Sequence, residues 1–344
     1  MVSLKMMPAI WNCLVYRFLR MPKILHTAHY IGTPWEILKS VVPEGFSIET
    51  LEELSYDCLL NHVVNADYLL VSGRLPIDDG VLSVARQLKM IQRTGVGTEM
   101  LDLKSINSRN IPVYVNSGVN ARSVAEHTMT LLLSCLKRLT IINAQTHSGI
   151  WKKQLQGVST HELYDKTVAL VGMGNIGRTV ASMLRPFGAH IIYTDVFRQS
   201  IEVESQLGLV FYEDFKALLP QADILSFHCP LTTDNINMLN GNNIGILKQG
   251  AVVINTARGK LIEPQSLYYA LKEGKLSAAA LDVHYEEPIG NEYKLKDLDN
   301  VILTPHIGGL SYEAFYAMMR GAVDNIVSFD SGNISAIENH KLTV

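Results

Sequence analysis

Cysteine is scarce in this sequence, and its spacing narrows the kinds of site the protein can hold. The four cysteines, Cys13, Cys58, Cys135 and Cys229, lie far apart, with no C-x-x-C pair and no histidine at a spacing that suits zinc. The sequence therefore predicts no metal site. Scattered free thiols also favour a reducing compartment, and we expect a cytoplasmic protein.

An excess of charge of one sign is lacking as well. Charged residues make up 18% of the chain, and the formal net charge at pH 7 is −3. Such a chain has no basic field with which to hold phosphate backbones. We therefore expect no nucleic-acid partner and favour a small-molecule ligand.

The sequence also lacks a clear membrane segment at its N terminus. The apolar stretch over residues 8–19 is broken by Arg17 and is too short to span a bilayer. No small-residue cleavage site follows it, so it resembles a signal peptide only weakly. We expect no membrane association and interpret residues 1–20 as an extension without a catalytic part.

The rest of the chain alternates between strand and helix patterns. A length of 344 residues is enough for two domains. Apolar runs alternate with helical periods in two successive series, which predicts an α/β fold with two doubly wound parallel sheets. The strands predicted in the first series are KILH, DYLLVS, LKMIQRTG and IPVYVN, and those in the second include HIIYT, ADILSFH, AVVIN, SAAALDV and NVILT.

The domain boundaries follow from where these series stop and start. Residues 21–120 are predicted to form a smaller, flavodoxin-like domain that residues 311–344 complete. Residues 121–310 are predicted to form a Rossmann-type domain inserted into it. Residues 121–149 have a helical period, which predicts one linking helix that stops at Gly149. Two domains with a cleft between them are expected.

A glycine motif opens the second series. Gly172, Gly174 and Gly177 form a G-x-G-x-x-G pattern after an apolar strand and before a helix, and the next strand ends in Asp195. This arrangement suits a pyrophosphate at the helix start and a ribose at the acid, which favours NAD over NADP. Arg198 could instead pair with a 2′-phosphate. A glycine turn in a nucleotide-free domain is the alternative.

Three polar side chains follow strands of the second series. Arg258 follows AVVINTA, Glu287 lies in LDVHYEEP and His306 lies in LTPHIGG. Open α/β sheets bind ligands where parallel strands end, so we expect the three to share one site. Taken singly, Arg258 could form a structural ion pair, Glu287 could be a solvated loop carboxylate and His306 could be a loop histidine without a catalytic role.

The same stretches resemble one family of enzymes. Residues from about 149 to 309 resemble the D-isomer-specific 2-hydroxyacid dehydrogenases, and the first domain matches them more loosely. The motifs that carry the resemblance are GVSTHELYDKTVALVGMGNIG, HCPLTTDNINMLN, LKQGAVVINTARGKLIEPQSLYYALKEGKLSAAALDVHYEEP, LTPHIGG, LKMIQRTGVGTEMLDL and NARSVAEHTMTLLL. The resemblance implies an NAD-dependent enzyme that interconverts a D-2-hydroxy acid and its 2-oxo acid.

The family pattern assigns a role to each of the three polar residues. By the resemblance, Arg258 binds the substrate carboxylate and polarises its carbonyl, as a forked guanidinium can. The glutamate is Glu287, directly before the proline, and its carboxylate would favour the imidazolium form of His306. His306 would then give a proton during reduction and accept one during oxidation.

The resemblance also implies which residues bind the cofactor and the substrate. The cofactor residues are Gly172, Gly174, Asn175, Ile176, Gly177, Asp195, Cys229, Pro230, Thr256, Ala257, Asp282 and His306. The substrate residues are Ser72, Gly73, Arg74, Val96, Gly97 and Arg258. Many members have a proline where this chain has Gly118, which leaves the hinge geometry open. The apolar linking helix and the resemblance together suggest a homodimer.

A rival function comes from a different class of protein. Transcriptional corepressors that resemble this family retain similar catalytic residues and use the fold to sense NADH. The three polar residues therefore do not exclude an NADH-sensing interaction protein. Related formate dehydrogenases fit less well, because their pattern has glutamine where this chain has Glu287.

Overall fold

The computed structural model describes residues 20–342 and divides the chain into two compact units. The first unit combines the chain up to Val119 with the chain from Phe315 onward, and the second unit runs from Asn120 to Ala314. The extension predicted for residues 1–20 lies outside the described residues, except for Arg20. Within residues 20–342, no helix has the length and apolar character needed to cross a membrane.

The first unit is built on a five-stranded parallel sheet. The strands are β1 (Lys23–His26), β2 (Ser47–Thr50), β3 (Tyr68–Val71), β4 (Met90–Arg93) and β5 (Val113–Tyr114), in the order β2-β1-β3-β4-β5. The helices are α1 (Thr33–Val41), α2 (Tyr56–Val63), α3 (Asp79–Val84), α4 (Leu103–Ser108) and most of the C-terminal helix Tyr312–Asp330. This strand order is that of flavodoxin-like folds, as the sequence predicts.

Helices cover both faces of this sheet. Successive residues of β1 point to opposite sides, so Ile24 packs under the C-terminal helix while Leu25 packs toward α2 and α3. All four residues of β3 and of β4 are buried. The sequence of β3, YLLV, is accordingly a continuous apolar run. β4 instead ends in Gln92 and Arg93, whose side chains donate to backbone carbonyls. By contrast, β2 is only partly buried at the sheet edge, so its sequence, SIET, lacks a strand pattern.

The second unit contains a seven-stranded parallel sheet. Its strands are β6 (Thr167–Val171), β7 (His190–Thr194), β8 (Leu209–Phe211), β9 (Ile224–Phe227), β10 (Ala251–Asn255), β11 (Leu276–Leu281) and β12 (Val301–Leu303). Its helices are α5 (Ala121–Lys137), α6 (Leu139–His147), α7 (Lys153–Val158), α8 (Asn175–Leu184), α9 (Ile201–Leu207), α10 (Phe215–Leu218) and α11 (Pro264–Lys272). The predicted α/β class with two parallel sheets is confirmed.

The strand order of the second unit determines where a ligand can bind. The order is β12-β11-β10-β9-β6-β7-β8. From β6 the chain adds β7 and β8 on one side of β6, and it then adds β9 to β12 on the opposite side. The carboxyl ends of β6 and β9 therefore flank a topological switch point, where open α/β sheets bind ligands.

The helix predicted over residues 121–149 is divided in the structure. Arg138 lies between α5 and α6 in the left-handed region, with φ 49° and ψ 38°. The sequence around it has no glycine or proline, so its helical period gives no sign of the break. α5 buries a broad apolar face, whereas α6 and α7 bury none of their residues.

Candidate active site

The glycine turn, residues 172–177, has the geometry that a bound dinucleotide requires. Gly172 has φ 98°, and a Cβ there would lie 2.6 Å from the backbone nitrogen of Cys229. A Cβ on Gly177 would lie 2.2 Å from the carbonyl oxygen of Gly172, so α8 packs directly on the turn. Space is open around Gly174, where the N-terminus of α8 begins without a side-chain cap. Its N–H groups suit a pyrophosphate.

Asp195 lies beside this turn, at the end of β7. Its Oδ2 accepts a hydrogen bond from the Met173 backbone at 2.5 Å, and its Oδ1 accepts one from Phe197 at 3.1 Å. The carboxylate is thereby tied to the turn, where a ribose next to a pyrophosphate would lie. The turn and the acid together fit a nicotinamide dinucleotide.

Other predicted cofactor residues follow the strands next to the switch point. Cys229 and Pro230 come after β9, and Thr256 and Ala257 come after β10. Burial, with a smaller contribution from Asp195, raises the pKa of the Cys229 thiol to about 11. The Cys229 side chain, which is predicted to line the cofactor site, is therefore an uncharged thiol at physiological pH.

A buried asparagine shapes the turn that carries Arg258. The side chain of Asn255 donates to the carbonyl of Arg258 at 2.9 Å and accepts from the backbone of Ala257 at 3.0 Å. Asn255 is 1% exposed, whereas Arg258 is only partly buried. β10 is therefore apolar up to Asn255, and Arg258 lies beyond the end of the strand, in the turn that the Asn255 side chain holds.

Gly259 presses the Arg258 turn against the loop that follows β11. A Cβ at this position would lie 1.9 Å from the carbonyl oxygen of His284 and 2.5 Å from the nitrogen of Tyr285. Only glycine permits this approach. The turn of Arg258 and the loop leading to Glu287 are therefore packed together.

Glu287 and His306 form a hydrogen-bonded pair. Glu287 Oε2 lies 2.7 Å from His306 Nδ1, and Oε1 accepts a hydrogen bond from the His284 backbone at 2.9 Å. Burial raises the pKa of Glu287, but the hydrogen bonds from His306 and His284 outweigh it, so the pKa lies below its usual range. The carboxylate is thus ionised at neutral pH. Because it engages Nδ1, Nε2 is the ring nitrogen that can face a reacting molecule.

The backbone at His306 adopts an uncommon conformation that Asp282 supports. His306 has φ 57°, in the left-handed region that residues other than glycine seldom occupy. The next two amides, of Ile307 and Gly308, donate to Asp282 at 2.9 and 2.8 Å. Asp282 thereby fixes the loop on which the histidine lies.

Two side chains complete the surroundings of Asp282. Thr304 donates to Asp282 Oδ1 at 2.5 Å, and His127 Nε2 lies 3.3 Å from the same oxygen. Burial alone would raise the pKa of Asp282, but these contacts and the two amides lower it to about 2. The resemblance assigns Asp282 to the cofactor, and sequence reasoning missed that its carboxylate organises the His306 loop.

The predicted substrate residues lie in the first unit, at the carboxyl ends of its strands. Ser72 and Gly73 follow β3, and Ser72 donates its backbone N–H to Thr27 Oγ1 at 3.2 Å. Gly73 has φ 85°, which fits a tight turn. Val96 and Gly97 follow β4, and Val96 is 52% exposed. Arg258, Glu287 and His306 all belong to the second unit.

Sequence reasoning missed Arg93, which joins these two loops. Its Nη1 donates to the carbonyl of Val71 at 2.8 Å and its Nε to the carbonyl of Gly97 at 2.5 Å. A Cβ on Gly73 would lie 2.7 Å from Nη1. The available signal was an arginine at the end of an apolar strand directly before TGVG, which is the pattern that drew attention to Arg258.

Comparison with known proteins supports this description. Residues 129–308 match the family model described as D-isomer specific 2-hydroxyacid dehydrogenase, NAD binding domain. A D-lactate dehydrogenase from Aquifex aeolicus, solved with NAD and lactic acid, superposes with a TM-score of 0.81 at 26% identity, covering 93% of this chain and 98% of that one.

Two curated relatives differ in how much of their length is matched. The glyoxylate reductase of Pyrococcus furiosus is 33% identical over 305 residues, which is 86% of this chain and 89% of that protein. The D-3-phosphoglycerate dehydrogenase of Methanocaldococcus jannaschii is 36% identical over 275 residues, 80% of this chain but 52% of that protein. This chain therefore spans about half the length of the phosphoglycerate dehydrogenase.

The contacts of Asp282 predict a pH-dependent stability. Its pKa of about 2, against an ordinary 3.8, corresponds to about 2 kcal/mol of unfolding free energy near pH 7. Because the folded pKa is the lower one, this contribution is complete above about pH 4 and is lost as the pH falls toward 2. Urea unfolding of Asp282→Asn and the unmodified protein should show a gap that narrows below pH 4.

An exposed carboxylate of the same unit provides the control for that experiment. Asp299→Asn should change the unfolding free energy by less than ~0.5 kcal/mol. A gap for Asp282→Asn that stays the same from pH 7 to pH 3 would contradict the proposed carboxylate contacts.

Proposed function

Because this chain belongs to the D-isomer specific 2-hydroxyacid dehydrogenase family, we propose that it interconverts a D-2-hydroxy acid and its 2-oxo acid with NAD. The observation that carries the proposal is the 2.7 Å contact between Glu287 and His306 in the unit that holds the glycine turn. Carbonyl reduction needs a proton carrier near a nicotinamide, and an imidazole oriented by a carboxylate is suited to that task.

Arg258 is proposed to hold the substrate. Its planar guanidinium can donate hydrogen bonds to two oxygens of a 2-oxo acid and stabilise the negative charge that develops on the carbonyl oxygen. The Asn255 clamp and the Gly259 contact fix its backbone, so the cation is positioned before substrate arrives. Ser72, Gly73, Arg74, Val96 and Gly97 of the first unit are proposed to contact the substrate carboxylate.

His306 is proposed to move the proton. In reduction the imidazolium gives a proton to the carbonyl oxygen, and in oxidation the neutral ring accepts it from the hydroxyl. Glu287 remains ionised and lies 2.7 Å from His306 Nδ1. Its contact with Nδ1 also fixes the orientation of the ring.

The cofactor is proposed to lie along the carboxyl ends of β6, β7, β9 and β10. When bound, NADH supplies the hydride. The glycine turn would receive the pyrophosphate, and the Asp195 carboxylate would accept hydrogen bonds from the ribose while disfavouring a 2′-phosphate. Asn175, Ile176, Cys229, Pro230, Thr256 and Ala257 are proposed to line the same site.

The proposed substrate is a small 2-oxo acid such as glyoxylate or hydroxypyruvate. The chain is 33% identical to the glyoxylate reductase of Pyrococcus furiosus over 305 residues. This similarity supports the small-acid class.

A homodimer is proposed from an exposed apolar surface on the second unit. α6 and α7 bury no residue, and the segment from 139 to 164 exposes several large apolar side chains. These are Leu139, Ile150, Trp151, Leu155, Val158 and Tyr164, of which Trp151 and Val158 are each 79% exposed. A second copy would cover such a surface.

A cytoplasmic location is proposed from the thiols. Cys58, Cys135 and Cys229 are free, which supports a reducing compartment.

Turnover of 2-oxo acids tests the proposed function. Purified protein is incubated with NADH and a panel of glyoxylate, hydroxypyruvate, pyruvate and bulkier 2-oxo acids, and NADH oxidation is followed. We expect oxidation with at least one small acid. Binding of NADH without oxidation by any acid would contradict the proposal and favour the NADH-sensing alternative.

The variant His306→Ala tests the role of the proposed proton carrier in the same assay. Loss of the proton carrier should lower kcat by about a hundredfold or more. The affinity for NADH should change little, because the glycine turn and Asp195, which are proposed to hold the pyrophosphate and the ribose, are unchanged. A parallel collapse of NADH affinity would contradict the role of His306.

The proposed dimer is tested by light scattering. We expect twice the mass of one chain for the unmodified protein and a shift toward the monomer for Trp151→Ser with Val158→Ser, since both changes remove exposed apolar area. A monomeric unmodified protein would refute the proposal.

A further inference from the structure

A bidentate ion pair lies next to the proposed ribose site. Arg198, three residues after Asp195, donates from Nε and Nη2 to the two carboxylate oxygens of Glu204, both at 2.9 Å. The Arg198 side chain is 58% exposed, whereas that of Glu204 is 11% exposed. Glu204 is thus the more buried partner, and both of its carboxylate oxygens accept hydrogen bonds from Arg198.

Two aromatic residues fix this pair in place. The hydroxyl of Tyr193, a fully buried residue of β7, donates to Glu204 Oε1 at 2.7 Å and accepts from the Gln199 backbone at 2.9 Å. The Arg198 guanidinium carbon lies 5.3 Å from the centre of the Phe211 ring. A planar cation held by a carboxylate and an aromatic face has little freedom to turn toward another anion.

The position of the pair bears on coenzyme choice. A 2′-phosphate would lie on the ribose proposed to contact Asp195, and an arginine close by is the residue type that accommodates it. Released from Glu204, Arg198 could neutralise such a phosphate and offset its repulsion by Asp195. Held by Glu204, its charge is already compensated.

We propose that Glu204 is a positioning residue for coenzyme selection, which keeps Arg198 engaged and so strengthens the preference for NAD over NADP. The proposal rests on the proposed placement of the adenosine ribose at Asp195. It adds a specificity element on α9 to the carboxylate at the end of β7. It does not depend on which 2-oxo acid is reduced.

The first variant for the test is Glu204→Gln. Glutamine keeps the length of the side chain and an oxygen that accepts from Tyr193, but it lacks the charge that binds Arg198. Glu202→Gln is the matched control, because it removes the same charge from the exposed side of the same helix. The double variant Arg198→Gln with Glu204→Gln tests whether any effect acts through the arginine.

Dissociation constants for NADH, NADPH, AMP and 2′-phospho-AMP are measured by titration calorimetry, without any 2-oxo acid. For Glu204→Gln we expect NADPH and 2′-phospho-AMP to bind roughly five- to tenfold more tightly, the gain from about one freed ionic contact. NADH and AMP should change by less than about twofold. Glu202→Gln should match the unmodified protein, and the double variant should lose the gain.

Unchanged affinity for NADPH and 2′-phospho-AMP in Glu204→Gln would overturn the proposal. A gain that persists in the double variant would also overturn it, because Glu204 would then not act through Arg198. An unmodified protein that binds NADH but reduces no 2-oxo acid would refute the proposed reaction and leave this inference standing. The two failures are therefore distinguishable.

Discussion

The buried carboxylate of Asp282 accepts hydrogen bonds from two backbone amides and from Thr304, and it lies within ion-pair distance of His127. Removing a carboxylate from water is costly, and only such a complete set of donors makes an ionised group stable there. The loop that follows β12 is held by this carboxylate. The uncommon backbone conformation of His306 depends on it, and so does the direction in which the imidazole leaves the backbone.

Contacts of Gly259 and Glu287 connect the His306 loop to the loops that follow the two neighbouring strands. β10, β11 and β12 are adjacent and parallel, so their carboxyl ends meet at one edge of the sheet. Gly259 places the turn of Arg258 against the loop after β11, and Glu287 on that loop contacts His306. Backbone contacts thus position the groups that carry the chemistry, which reduces the reorganisation needed when a substrate binds.

The parts that could be predicted from the sequence are those with a local pattern. Arg258 and His306 each follow an apolar strand, and Gly172 and Gly177 have a spacing whose physical reason is known. The confirmed α/β class likewise follows from the alternation of strand and helix patterns. Their roles in binding and turnover remain predictions.

The parts that could not be predicted depend on partners far apart in the sequence. Asp282 contacts residues 22 to 26 positions later, and Arg93 binds a carbonyl 22 positions earlier, so neither partner is visible in a local pattern. The break at Arg138 has no glycine or proline to mark it. The partly buried strand β2 lacks an apolar signal, because only buried faces demand one.

The central claim is that the Glu287 carboxylate orients His306 for proton transfer. The most direct test is kcat for 2-oxo acid reduction in the unmodified protein and in Glu287→Gln, with the affinity for NADH measured alongside. Without the carboxylate the ring loses its charged partner at Nδ1, so we predict that kcat falls by roughly tenfold or more while the affinity for NADH changes little. A kcat equal to that of the unmodified protein would contradict the claim.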